Sequence, residues 1–447
     1  MRKATFRIGG IHPPQMKYTA GQPISLFPLP MKAIVPLSQH IGAAATPCVA
    51  AGDTVERGQI VGKPSGRISS SIHSPITGTV RSVGTATDAK GYPVPAIIIE
   101  ASAEQHEADT QRREEIYASL EKNVRRDLSE TLDAAAIREI IEEKGVVGLG
   151  GATFPSQVKL GLPQGVKAEV LIVNACECEP MLTCDDALMR TWPGCIAEGV
   201  ELVMKACGAP RAIIGIEDNK PEAARALRAA IPTGYPIEVQ VLKTKYPQGG
   251  EKQLVQTITG KYIPSGALPA AVGAVVHNVA TIFAAYMAVA LGVPLTDRVV
   301  TLTGANSLKG NFLVATGTPL SELLRDIPAV AEIVVGGPMM GHSAIATDTP
   351  VIKSTSGVVV FDAGTETRAV SPCLRCGKCV SVCPMGLEPY LIATYGRLGR
   401  WEDAADHAAT DCIECGSCSY ICPSGRPIVD YIRVAKNRLR ALKGKNR

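Results

Sequence analysis

The chain has 447 residues, with 46 Lys or Arg against 42 Asp or Glu and a formal net charge of +4. That length implies roughly three or four folded units. So slight a cationic surplus, with aromatic residues at 4%, argues against a nucleic-acid partner, which needs a basic face and stacking rings. Of its 14 cysteines, eight fall between Cys373 and Cys422, and the opening MRKATFRIGGIHPP lacks an apolar secretory run. Thiolates serving as metal ligands in a reducing compartment fit this better than a disulfide framework.

Residues 30–100 read as short strands broken by Gly and Pro. The phrases Gly52-Asp53-Thr54-Val55-Glu56-Arg57-Gly58-Gln59 and Ser74-Pro75-Ile76-Thr77-Gly78-Thr79-Val80 resemble the strands of biotinyl/lipoyl-type domains, so a barrel-sandwich hybrid is expected over 1–110. A carrier role needs a modifiable Lys at an exposed hairpin tip. Lys63 instead precedes Pro64, so the module reads as structural and His73 as a packed residue. Residues 101–132 carry both signs of charge and read as a solvated linker or surface helix.

Helices and strands then alternate over 130–295, the pattern of a Rossmann-like α/β domain with a parallel sheet. Asp133 caps a helix running to Glu143. Strands are expected at 169–174, 211–216 and 237–242, with helices near 195–207, 221–231 and 251–259. The stretch Ala270 to Leu295 has the length of a membrane span. It is nevertheless Ala- and Gly-rich, carries His277, Asn278 and Thr281, and lacks basic or aromatic flanks, so a buried helix is expected. Residues 296–365 return to short strands, with one helix near 319–326, and form a small β domain. A cysteine-rich module occupies 366–437 and a basic tail 438–447. From Arg426 to Arg447 there are eight basic residues and one acid, Asp430, a helix suited to anionic lipid, an acidic partner or plain solvation. Cys48, Cys184, Cys195 and Cys207 follow no pattern and read as core residues.

The cysteine module carries the most specific motif. Cys373-x2-Cys376-x2-Cys379-x3-Cys383-Pro384 recurs as Cys412-x2-Cys415-x2-Cys418-x3-Cys422-Pro423. Three thiolates at this spacing wrap one corner of an iron–sulfur cube. The fourth turns away and ligates the other cluster. Cys373, Cys376, Cys379 and Cys422 are therefore assigned to one 4Fe–4S cluster, and Cys412, Cys415, Cys418 and Cys383 to the second. Zinc sites do not use a third Cys at this spacing, let alone twice. The insert Pro384 to Asp411 is long for a compact ferredoxin and reads as helical. Two such clusters form a one-electron relay and need an electron source elsewhere in the chain.

Gly148-Leu149-Gly150-Gly151-Ala152-Thr153-Phe154-Pro155, with Lys159 as counter-charge, suits a phosphate. Three further polar clusters fall at loop positions of the same α/β domain: Asn174-Ala175-Cys176-Glu177-Cys178-Glu179-Pro180, Tyr246-Pro247-Gln248-Gly249-Gly250-Glu251, and Val276-His277-Asn278-Val279-Ala280-Thr281. Together they point to one cleft. The combination resembles the flavin-binding subunit of respiratory complex I. That family carries a Gly-rich loop ending in Phe-Pro and a Lys, then Asn-Ala-Asp-Glu-Gly-Glu-Pro, Tyr with Gly-Glu-Glu, and Asn-Val-Glu-Thr.

The resemblance implies FMN in the cleft with NADH stacked on it. Gly148, Gly150, Gly151 and Lys159 would hold the phosphate and ribityl end, and Asn174, Glu177, Tyr246, Gly249, Asn278 and Thr281 would line the flavin. Glu179 and Glu251 would face the nicotinamide as the catalytic pair. Leu149, Cys176, Gly250 and Ala280 depart from the family pattern, where Arg, Asp, Glu and Glu stand.

Over essentially 1–437 the order of motifs, opening with Gly9-Gly10-Ile11-His12-Pro13-Pro14, resembles the C subunit of Rnf/Rsx ion-translocating electron-transport complexes. That resemblance implies a β-grasp ligand-binding module at 296–365. It also implies a peripheral position on the cytoplasmic face of a bacterial inner membrane, and partner subunits of an electron-transport complex, with ferredoxin or a ferredoxin-like subunit among the partners. The expected activity is NADH-dependent electron transfer, through FMN and two 4Fe–4S clusters, coupled to ion translocation. The alternatives are a soluble flavin–iron–sulfur dehydrogenase and a relay or scaffold subunit without flavin chemistry.

Overall fold

The computed structural model describes residues 3–327, 331–362 and 369–445. At its centre four parallel strands lie in the order Ile237–Leu242, Ala212–Glu217, Val170–Ala175, Ala274–Asn278. The two middle strands are covered on both faces. Leu171, Val173 and Ala175 meet helices Pro193–Cys207 and Val279–Leu291, while Val170 and Ile172 meet Glu251–Thr259. Burial on both faces explains their uninterrupted apolar runs. Asp133 caps Ala134–Glu143 through Ala135 N and Ala136 N, as expected.

The Ala270 to Leu295 stretch is not one helix. A 3₁₀ turn at Pro269–Val272 ends at Gly273 in the left-handed region (φ 77°), the β-branched run that follows forms the Ala274–Asn278 strand, and Asn278 caps the Val279–Leu291 helix. Ala content hid a strand inside an apparently helical run. Among the described residues no helix is long and apolar enough to cross a membrane.

Two small sheets enclose a separate core of Val35, Leu37, Val61, Ile72, Val80, Ile97 and Ile99. They run Lys32–Pro36, Pro93–Glu100, Gly78–Thr87, Thr54–Val55 and Thr46–Pro47, Ile60–Lys63, Ile72–His73, the two-layer arrangement of a barrel sandwich. Lys63 is exposed at a strand end, and burial pushes the His73 imidazole down to about 3, so it is a neutral packed side chain.

The polar 101–132 segment is more than a solvated linker. Its helix Ala103–Ser119, opened by a Ser102–Gln105 capping box, buries Asp109 and Arg113. Asp109 accepts from Thr77 N and Oγ1, while Arg113 pairs with Asp297 and donates to the Phe27 and Leu313 carbonyls. This helix joins the barrel sandwich to the next domain.

That domain holds six strands in the order Ile24–Leu26, Gly310–Ala315, Asp297–Gly304, Gly357–Phe361, Glu332–Val335, His342–Ser343, with the central pair parallel and a short helix at Leu320–Leu323. Its edge strand comes from the N-terminal region, so the segment ahead of Lys32 is not confined to the barrel sandwich: Leu29 packs in that core, while Ala4 bridges Leu242 and Ile11 bridges Tyr246. The tail expected at 438–447 is likewise not separate, because helix Ile428–Lys445 runs through that boundary and buries Leu439. The insert between the cysteine repeats is helical, at Pro389–Leu398 and Trp401–Asp406. Cys184, Cys195 and Cys207 are buried, but Cys48 is exposed beside a strand end and is not a core residue.

Candidate redox site

The Gly-rich loop is a tight turn between Val147 and Pro155, closed by Gly148 N donating to Phe154 O at 2.8 Å. Gly148 therefore uses its own N–H in the turn. Leu149 N donates to Thr281 Oγ1 at 2.8 Å, which fixes the loop to the helix below and leaves Thr281 buried. Gly150 must be glycine: a Cβ there would stand 2.7 Å from the Asn278 Cβ. Gly151 faces open space, and the N–H groups of Gly150, Gly151 and Ala152 have no partner among the described residues. Lys159 stands nearby, paired with Glu251 at the half-exposed mouth. Free N–H groups beside a cation fit a phosphate.

A line of polar contacts crosses from this loop to the next motif. Asn278 accepts from Ala280 N and donates to Asp185 Oδ2 at 2.8 Å. Glu177, at φ 45°, accepts from Asp185 N at 2.6 Å and so caps a helix whose own N-cap residue, Thr183, turns its hydroxyl to Asn311 instead of to the helix. Asn174 donates to Gly249 O at 2.8 Å, holding the Tyr246–Glu251 turn against the strand end. Two lysines that the sequence did not single out fix the carbonyls beneath. Lys17 Nζ donates to the carbonyls of Glu177, Glu179 and Leu182, and Lys220 Nζ to that of Cys176. Burial raises both Glu177 and Glu179 to about 7 against the pull of Lys17. Glu179 does not point into open space: its carboxylate accepts from Met339 N at 3.0 Å and lies 3.5 Å from the Tyr246 hydroxyl.

Cys383 of the first repeat joins Cys412, Cys415 and Cys418 of the second, one of the two sets expected from the spacing. A cavity opens between Cys383, Cys412, Cys415 and Cys418. Burial and the neighbouring sulfurs push the Cys412, Cys415 and Cys418 thiols up, Cys412 to about 11. A polycation that binds them as thiolates relieves that opposition, so the donor set fits a cubane. In the other set Cys373 and Cys376 are exposed and Cys379 and Cys422 buried. Ser371 N donates to Ser424 O, and Ser424 Oγ to Pro372 O, both at 2.9 Å, which brings the Cys422 turn beside Cys373.

Both constellations meet at one joint. Tyr246, 2% exposed, donates its hydroxyl to Cys415 O at 2.7 Å, and its ring packs with Ile11, Cys178, Met339, Val382 and Ile413. Ile11 and Tyr246 exchange backbone hydrogen bonds, and Gly10 N donates to Val382 O. The structure thus brings the α/β motifs, Glu179 and the buried cysteine set together. It leaves Glu251 and Lys159 at the outer mouth.

Residues 4–104 match the RnfC barrel sandwich hybrid domain, 141–287 the Nuo51 FMN-binding domain and 369–426 the 4Fe-4S dicluster domain. The chain is 41% identical to the C subunit of the Na(+)-translocating ferredoxin:NAD(+) oxidoreductase complex of Acetobacterium woodii, over 100% of this chain and 99% of that one. It is 40% identical to the C subunit of the ion-translocating oxidoreductase complex of Rhodobacter capsulatus, over 96% and 82% of the two chains. A similar 40% links it to the C subunit of the proton-translocating ferredoxin:NAD(+) oxidoreductase complex of Clostridium ljungdahlii, over 97% and 94%. A chain of an NAD+-reducing nickel–iron hydrogenase in its H2-reduced state shares the fold, with a TM-score of 0.54 at 20% identity over 72% of this chain and 66% of that one. The chain belongs to the family of C subunits of ion-translocating oxidoreductase complexes.

Proposed function

We propose that this chain is the electron-input subunit of a membrane-bound complex that couples electron transfer between NAD(H) and ferredoxin to ion translocation. FMN, when bound, exchanges a hydride with NAD(H) and single electrons with iron–sulfur centres. Gly150, Gly151 and Lys159 hold its phosphate, with Gly148 and Thr281 setting the shape of the loop. Asn174, Glu177, Tyr246, Gly249 and Asn278 form the wall of the cleft. Glu251 stands at the mouth, on the side where a nicotinamide enters. Glu179 keeps the inner wall in place through Met339 and Tyr246. The two cysteine sets hold one 4Fe–4S cluster each, the buried set next to the cleft and the exposed set at the surface. The sheet around Asp297–Gly304 is read as a β-grasp module. The chain is placed on the cytoplasmic face of a bacterial inner membrane, attached through its partner subunits.

One observation carries this reading: the Tyr246 hydroxyl joins the cleft wall to the Cys415 carbonyl at 2.7 Å, so the flavin wall and the first relay ligands form one packed unit. Cofactor analysis of anaerobically purified protein tests it. About eight irons with released FMN that NADH bleaches is the expected result. Iron without flavin would favour the relay or scaffold alternative instead.

A further inference from the structure

The two cysteine loops are copies of one device, and one of them shows what the other is built for. In each, the residue two after the first Cys is left-handed (Arg375 φ 55°, Glu414 φ 58°), its N–H approaches that Cys sulfur at 3.4 Å, and a left-handed glycine follows the second Cys (Gly377 φ 73°, Gly416 φ 75°). On the buried copy the loop is a docking surface. Ile413 packs among Ile11, Tyr246 and Met339, and a Cβ on Gly416 would stand 2.7 Å from Met339 O. The same positions on the other copy are bare. Leu374 is 69% exposed, Gly377 has open space around its Cβ position, and Cys373, Arg375, Cys376 and Lys378 are exposed. Glu414 on the buried loop is paired with Lys436 and Arg433, whereas Arg375 and Lys378 are in no ion pair among the described residues.

We infer that the Cys373–Lys378 loop docks a second protein as the Cys412–Ser417 loop docks the α/β domain, with Leu374 as the apolar knob and Arg375 and Lys378 as its charged rim. The partner is a one-electron carrier protein whose redox centre lies under a surface rimmed by carboxylates. Charge complementarity selects the acidic rim. The exposed cluster ligands select a redox protein over a lipid surface, because a docked centre there is in reach of a relay terminus. This deepens the electron-relay reading and rests on it.

The test is binding of the full, cluster-loaded chain to a small acidic two-cluster ferredoxin in its oxidised form, measured by calorimetry across ionic strength. Wild type binds at low salt and weakens as salt rises. Arg375→Glu combined with Lys378→Glu weakens binding roughly tenfold or more and flattens the salt dependence, while Leu374→Ser weakens binding and keeps the salt slope. The equal charge change Arg112→Glu with Lys122→Glu, at exposed positions in and just after the 103–119 helix, leaves binding unchanged. Iron content equal to wild type in every variant shows that the fold is intact. No wild-type binding at low salt, wild-type affinity in the Arg375/Lys378 variant, or loss in that variant only of binding to phosphatidylglycerol vesicles would each overturn the inference. Neither NADH nor flavin takes part in this measurement, so a failure of NADH to bleach the flavin refutes the function proposed above without deciding this one.

Discussion

Replacing Tyr246 by Phe isolates the hydrogen bond that links the cleft to the buried cysteine set. The ring stays and with it the packing against Ile11, Met339 and Val382; only the hydroxyl is lost. Tyr246 is 2% exposed, so Cys415 O is left without its donor in a place that water does not reach. An unsatisfied buried carbonyl costs about 1–3 kcal/mol. That cost weighs on the joint: besides Cys415 O the hydroxyl reaches Glu179 Oε1, at 3.5 Å on the inner wall beside it, and the remaining contacts of Tyr246 are made through backbone and ring. A multidomain protein with bound clusters does not unfold in one step, so a global midpoint would not resolve it. Hydrogen exchange resolves it locally. Gly10 N is bonded to Val382 O across the joint, and Ile11 N to Tyr246 O beside it. Opening of the joint exposes both amides, so their protection is expected to fall roughly 5- to 150-fold, while amides of the Lys32–Pro36 strand stay unchanged. A change of less than twofold at Gly10 and Ile11 would mean that the joint is held by packing and that the hydroxyl contributes nothing.

Three further outcomes are expected. Cys376→Ala, at an exposed ligand, should lower the iron content from about eight to about four per chain and leave flavin in place; loss of all the iron would refute the two separate sets. Lys159→Ala should weaken FMN retention roughly tenfold at unchanged iron content, as measured by flavin released on dialysis; equal retention would remove Lys159 from the phosphate site. Burial holds Glu179 at about 7 against an ordinary 4.5, so the fold favours its neutral form. The joint should be most stable below pH 4.5, lose about 1.4 kcal/mol per pH unit up to about 7, and change no further above that. Exchange at the Met339 amide, corrected for intrinsic rate, should show this slope in wild type and not in Glu179→Gln. A shared slope would assign the titration to another group.

Much of the site was legible because its chemistry depends on local spacing. The grouping of Cys383 with Cys412, Cys415 and Cys418, the helix cap at Asp133, the strand-end position of Asn174 and the loop position of Tyr246 follow from residues a few positions apart. The places where sequence reasoning failed have physical causes. Ala-rich composition concealed the strand Ala274–Asn278, since Ala does not distinguish a buried strand from a buried helix. Arg113 and Asp109 read as solvated charges because their partners, Asp297 and Thr77, are distant in sequence. The N-terminal segment is the largest miss. Lys17, Ile11 and the strand Ile24–Leu26 serve three different domains, and nothing local to them reveals it. Only Gly9-Gly10 gave a signal. Both lie in the left-handed region (φ 63° and 87°), and a Cβ on Gly9 would collide with the Cys383 carbonyl, so the strap runs flat against the cluster module.

These glycines bear on how the relay works. Two backbone surfaces of the cysteine module meet the rest of the chain with no side chain between them: Gly9 against Cys383, and Gly416 against Met339. Contacts of that kind leave no rotamer freedom with which to slide, and interfaces packed this closely switch between discrete states rather than deforming gradually. Tyr246, Ile11 and Met339 come from three different parts of the chain and pack together against the same cysteine loop. A module held by three separate stretches of chain keeps a fixed distance to the cleft, which a tunnelling electron requires. The opposite end of the module has no such grip among the described residues, since Leu374 and Gly377 face outward. Electron input is therefore built as a rigid step, and exchange of partners belongs to the free face around Cys373 and Cys376.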